Sequence, residues 1–190
     1  MLFLLYLLAD SVCGKDVSGL TSLHHFVMMG DLDTLTVLSQ YYSAEHDHDS
    51  TGTTLLMYSC ARSGDHQLSI TKYLIEKLNV DVCKLDDKHR NALMHGVIAR
   101  NYETVVYLLQ STGTPIEADF EGTSVLMVAA ANGSSAISEA LLQSNRAKDL
   151  CAKRDHYGRN AFHHCAMHGK QVNKDIISLQ TFLILFMIFV

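Results

Sequence analysis

The chain has 190 residues, 48% of them apolar and 18% charged, with a formal net charge of −5. That balance excludes a disordered chain, and the scattered basic residues exclude the basic stripe that nucleic acid selects. The five cysteines are widely spaced with no Cys-x-x-Cys pair, which reads as free thiols in a reducing, cytoplasmic setting rather than a disulfide framework.

Met1 to Leu8 is apolar but has no basic residue ahead of it and no clear small-x-small cleavage site, so it does not fit a secretory leader. Residues 1–15 are expected to be the end of a partial repeat. A motif then opens at Asp16 and continues through Gly19, Thr21, Leu23 and His24. It returns as Asp49, Gly52, Thr54, Leu56 and Met57, and again as Asp86, His89, Asn91, Leu93 and Met94. Two more copies follow: Asp119, Gly122, Ser124, Leu126 and Met127, then Asp155, Gly158, Asn160, Phe162 and His163. The small polar residues at 21, 54, 91, 124 and 160 are 33, 37, 33 and 36 residues apart. Self-similarity at such a period marks a repeat protein.

Each part of the motif has a physical task. Asp opening and Gly closing a four-residue stretch favour a type I turn. Thr, Ser or Asn two residues later caps a helix by accepting an orphan amide. Small and apolar residues such as Phe26–Val27, Ser59–Cys60 and Ala129–Ala130 give a thin helix, which Gly30, Gly64, Gly133 and Gly169 are expected to stop. A second apolar stretch follows at helical spacing, as at Leu32, Leu35 and Leu38 or Ile137, Leu141 and Leu142. Neither helix can bury its apolar face alone, and stacked neighbours can. The extra residues of the second and fourth copies fall at 61–69 and 144–151, where turns are expected.

The motif resembles the ankyrin repeat, with a Thr-Pro-Leu-His-x-Ala core. Thr21–Ser22–Leu23–His24 and Asn160–Ala161–Phe162–His163 come nearest to it, and the likeness runs from about Ser11 to Lys170. The family proline is missing from every copy, and Met57, Met94 and Met127 stand where the family has His. In the family that His ties a repeat to its neighbour, so the resemblance implies a less rigid middle. It implies an all-α solenoid of about five helix-turn-helix repeats joined by finger-like turns. The repeats would start near 16, 49, 86, 119 and 155 within a domain covering 16–170.

Residues 171–190 are expected to hold the second helix of the last repeat, running into an apolar tail. Phe182 to Val190 has no polar residue, but nine residues are too few to span a bilayer, which takes about 20.

Chemistry-bearing constellations are sparse. His164 and His168 lie one helical turn apart and read as a groove-facing pair; two ligands do not make a zinc site. His24 and His163 match the family's structural His and read as packing and hydrogen-bonding residues. His46–Asp47–His48–Asp49 reads as a solvated loop. No nucleophile elbow, phosphate loop or dinucleotide fingerprint occurs. Cys60 and Cys165 stand where the family has Ala and read as small buried hydrophobes. No cofactor, no metal site and no enzyme activity are expected.

The resemblance implies a scaffold that binds another protein through the fingers and the first helices. Carried over copy by copy, the contact positions are Ser18, Leu20, Met28 and Met29, then Ser50, Thr51 and Arg62, then Lys88 and Arg90. In the last two copies they are Phe120, Glu121 and Asn132, then His156, Tyr157, Arg159 and His168. Phe120, Tyr157 and Arg159 are of the types that become hot spots. The alternative is a fragment of a larger membrane-associated protein, of channel or acyltransferase type, anchored by the apolar C-terminus.

Overall fold

The computed structural model describes residues 14–41, 47–62, 64, 66–111 and 113–168. The expectations for 1–13, Gly169 and the apolar tail lie outside them. Ten α-helices and no strands occur among the described residues. The chain divides into two compact units after His95.

In the first unit, helices α1 (Ser22–Met29), α2 (Leu32–Leu38), α3 (Leu55–Cys60) and α4 (Gln67–Glu76) form two antiparallel hairpins. A 3₁₀ turn over Ser39–Tyr41 extends α2. Helix α5 (Ala92–Ile98) begins in this unit and ends in the second. The second unit continues with α6 (Tyr102–Ser111), α7 (Val125–Asn132), α8 (Ser135–Gln143), α9 (Ala147–Ala152) and α10 (Ala161–Met167).

The first helix of each pair starts where a side chain takes over an orphan amide. Thr54 Oγ1 accepts from Met57 N, Asn91 Oδ1 from Met94 N, Ser124 Oγ from Met127 N and Asn160 Oδ1 from His163 N, at 3.0–3.4 Å. Three of these helices end on a left-handed residue. Gly30 (φ +82°) and Gly133 (φ +68°) stop α1 and α7, as left-handed caps favour. Arg100 (φ +59°) occupies the same conformation after α5, where a side chain is disfavoured. Gly64 does not stop α3, contrary to the sequence expectation: the helix has already closed at Ala61, which keeps a right-handed conformation.

The core of each unit lies between its helix pairs. In the first, Leu23, Val27, Leu35, Leu55, Leu56, Cys60, Ile70 and Leu74 are buried. Gln67 Nε2 reaches the Val27 carbonyl at 3.4 Å and Ser59 Oγ meets Thr71 Oγ1 at 3.0 Å, tying α4 to α1 and to α3. In the second, Val105, Leu108, Val125, Leu126, Ile137, Leu141 and Cys165 are buried. Ala129 and Ala130 are also fully buried, so α7 packs closely against α8 and α10. Each buried Leu or Ile contributes about 1.5–3 kcal/mol by leaving water, more than a helix of this length gains alone.

The insertion after α8 is not a plain turn. It folds as α9, whose Ala147 and Leu150 are buried and which packs on α8 and α7. An apolar Leu one turn from an Ala supplies a buried stripe, and the backbone coils to present it.

Candidate functional site

Five aspartates build five fingers by one hydrogen-bond pattern. Oδ1 of each accepts the amides two and four residues ahead, which holds the intervening tip outward. Asp16 takes Ser18 and Leu20, Asp49 takes Thr51 and Thr53, and Asp86 takes Lys88 and Arg90, all at 2.8–3.0 Å. Asp119 takes Glu121 and Thr123, and Asp155 takes Tyr157 and Arg159, at the same distances. Fingers within a unit are linked edge to edge. Ser50 N–H donates to the Ser18 carbonyl and Asp87 N–H to that of Thr51 in the first unit, each at 3.0 Å. In the second, His156 N–H donates to the Glu121 carbonyl at 3.0 Å.

In four of the fingers the second carboxylate oxygen ties the finger to the helix behind it. Its partner stands nine residues after the aspartate. Tyr58 donates to Asp49 at 2.7 Å, and His25 lies 3.4 Å from Asp16. His95 lies 3.0 Å from Asp86 and His164 2.9 Å from Asp155. In two fingers an arginine joins the same oxygen: Arg90 Nη2 at 2.6 Å from Asp86 and Arg159 Nε at 2.7 Å from Asp155. Burial raises the Asp86 pKa, but the Arg90 guanidinium and amide and the His95 ring prevail and hold it below the ordinary carboxylate range. Burial opposes and hydrogen bonds from Arg159 and His164 win at Asp155, which is held lower still. Burial lowers the His95 pKa despite the facing Asp86 carboxylate.

These ties correct several sequence expectations. His164 is not one of a groove-facing pair. It is buried, its Nε2 is directed at Asp155, and its carbonyl lies 2.9 Å from Nδ1 of the exposed His168. Asp47 and Asp49 are not in a solvated loop. Both are buried, Asp47 in an ion pair with Lys84 at 3.0 Å and Asp49 under Tyr58. His46 lies outside the described residues. His163 makes the hydrogen bond expected of it, to Asn160, but is exposed rather than packed.

The residues read as partner contacts divide by what they already touch. Ser18, Met29, Ser50, Thr51, Arg62, Lys88, Phe120, Glu121, His156, Tyr157 and His168 are exposed, and Leu20 and Met28 are half-buried. Arg90 and Arg159 are half-buried and committed to their own aspartates. Asn132 Nδ2 points to the Val97 and Ile98 carbonyls, and its own carbonyl accepts from Arg100, so it joins α7 to the end of α5. The largest apolar groups on the fingers are Phe120 and Tyr157, 70% and 72% exposed. The Arg159 guanidinium sits 4.5 Å over the Tyr157 ring, so that aromatic is held in place from within the finger.

Met57 and Met127 do more than fill the core. Each sulfur accepts the backbone N–H of the capping residue, Thr54 or Ser124, at 3.4 Å. Nδ1 of His24 does this for Thr21 at 3.1 Å. The tie of finger to helix, nine residues after four of the five aspartates, was also missed from sequence. Aligning the copies on their aspartates brings His25, Tyr58, His95 and His164 into one column.

Among the described residues no three His, Cys, Asp or Glu side chains converge as metal ligands. No helix there is long and apolar enough to cross a membrane. A family model described as ankyrin repeats (3 copies) matches residues 23–119. No curated protein matches the chain. Ankyrin repeats are in general protein-interaction modules and typically non-catalytic. With its five Asp-anchored fingers, its capped helix pairs and this match over half its length, the chain belongs to the ankyrin-repeat family.

Proposed function

We propose that this chain is a non-catalytic scaffold that recognises another protein through its finger tips and the adjoining first helices. The observation that carries the reading is the display of Phe120 and Tyr157, large exposed aromatics on fingers whose turns are held by their own aspartates. Rigid aromatics lose little entropy on binding and become hot spots. Exposed Glu121 and His156 flank them in the second unit, and Ser18, Ser50, Thr51 and Lys88 form the polar tips of the first. The four described cysteines are free thiols, which supports a cytoplasmic setting.

The test is a pull-down with the full chain, comparing wild type with a Phe120→Ala, Tyr157→Ala double variant. Val37→Ala, on the exposed face of α2, is the control. Proteins held by wild type and by Val37→Ala should be lost from the double variant. Retention of every bound protein by the double variant would remove this surface from the account.

A further inference from the structure

In four of the five fingers the outer carboxylate oxygen of the aspartate is occupied by the protein's own side chains: His25, Tyr58, Arg90 with His95, and Arg159 with His164. The finger opened by Asp119 is the exception. Nine residues on stands Val128, which has no donor, and four residues on stands Thr123 in place of an arginine. Oδ1 of Asp119 holds its two amides as in every finger. Oδ2 accepts nothing among the described residues, while Asp119 is half-exposed and Val128, at the position that supplies the tie in the other fingers, is half-buried. Phe120 follows immediately, 70% exposed.

We propose that this open oxygen is a specificity site for an arginine side chain of the bound protein, with Phe120 and Val128 as its apolar margin. The inference rests on the recognition role proposed above and gives it a chemical preference. The protein itself supplies the template. Twice, at Asp86 and Asp155, the equivalent oxygen is met by a guanidinium at 2.6–2.7 Å. Arginine suits the position better than lysine because its planar fork can pair with the carboxylate while its face rests on an aromatic ring. A carboxylate with one oxygen already fixed by two amides has little orientational freedom left to lose, so the ion pair forms on a preorganised group.

Random peptides displayed on phage and selected on the full chain provide the test. Enriched peptides should carry an arginine next to an apolar residue. Their binding should fall about tenfold or more, roughly 1.4 kcal/mol, on Asp119→Asn. That change keeps an oxygen for the two amides and so leaves the turn intact. Val128→His should weaken binding similarly, by supplying from within the tie found in the other fingers. Val37→Ala, exposed on α2 and outside the proposed surface, should leave it unchanged. Enriched peptides lacking a basic residue, or binding to both variants within about twofold of wild type, overturn the arginine site and leave the recognition role standing. Failure of the wild-type chain to enrich any peptide overturns both.

Discussion

The sulfur of Met57 accepts the backbone N–H of Thr54 at 3.4 Å, in the place where Nδ1 of His24 accepts that of Thr21 at 3.1 Å. A methionine thus completes the reciprocal cap that the first repeat builds with histidine, and Met127 does the same for Ser124. The replacement changes the chemistry in two ways: the acceptor is weaker, and it does not titrate.

Met57→Leu keeps the volume and removes the acceptor. It should leave the buried Thr54 amide unpaired and lower stability by about 1–2 kcal/mol, read as a lower urea midpoint at unchanged slope. A midpoint equal to wild type would mean that the sulfur contributes no more than packing.

His24 is fully buried, and burial lowers its pKa to about 4 against the opposing pull of the Asp47 backbone. Its value in an unfolded chain is near 6.5. As pH falls between those two values the unfolded chain takes up a proton that the folded chain refuses, so stability drops. From pH 7 to pH 5 this single group should cost about 2 kcal/mol. His24→Met, copying the second and fourth repeats, should abolish that part of the pH dependence, as measured by urea titrations at the two pH values.

Asp86 behaves with the opposite ionic form. Its folded pKa is held below the ordinary carboxylate value, so its contribution is complete above about pH 5 and disappears as pH falls through the lowered value. Asp86→Ala removes the acceptor for two amides and the partner of Arg90 and His95. It should destabilise the chain by about 2–3 kcal/mol at pH 7. The deficit should shrink below pH 4, when wild type loses the same charge. A deficit independent of pH would assign the loss to packing alone.

Gly19 and Gly158 close equivalent fingers with φ of +80° and +74°, but their surroundings differ. A β-carbon on Gly19 would come within 2.5 Å of the Ser50 amide nitrogen, whereas one on Gly158 meets nothing within 4 Å among the described residues. Gly158→Ala should therefore cost only the left-handed penalty, about 1 kcal/mol. Gly19→Ala should cost at least about 2 kcal/mol, because the neighbouring finger must also move. Equal losses in thermal melts would mean that the edge-to-edge contact of fingers adds nothing.

The sequence determined by itself whatever is fixed within a few residues along the backbone. Asp with Gly three later, a capping Thr, Ser or Asn, and apolar residues at helical spacing each act on their own segment, so the fingers and capped helices were legible at Asp16, Asp49, Asp86, Asp119 and Asp155. Only tertiary structure decided what the far side of each group meets. Asp47 and His164 look like surface residues in the sequence and are buried because Lys84 and Asp155 come to them. Leu150 turned an expected loop into α9 because a buried place was open against α7 and α8. Asp119 reads like the other four aspartates, and its outer oxygen, unmet among the described residues, stood out only once the others were found occupied. Backbone preferences are local and burial is collective, so the repeat can be read one copy at a time and the chemistry of its surface cannot.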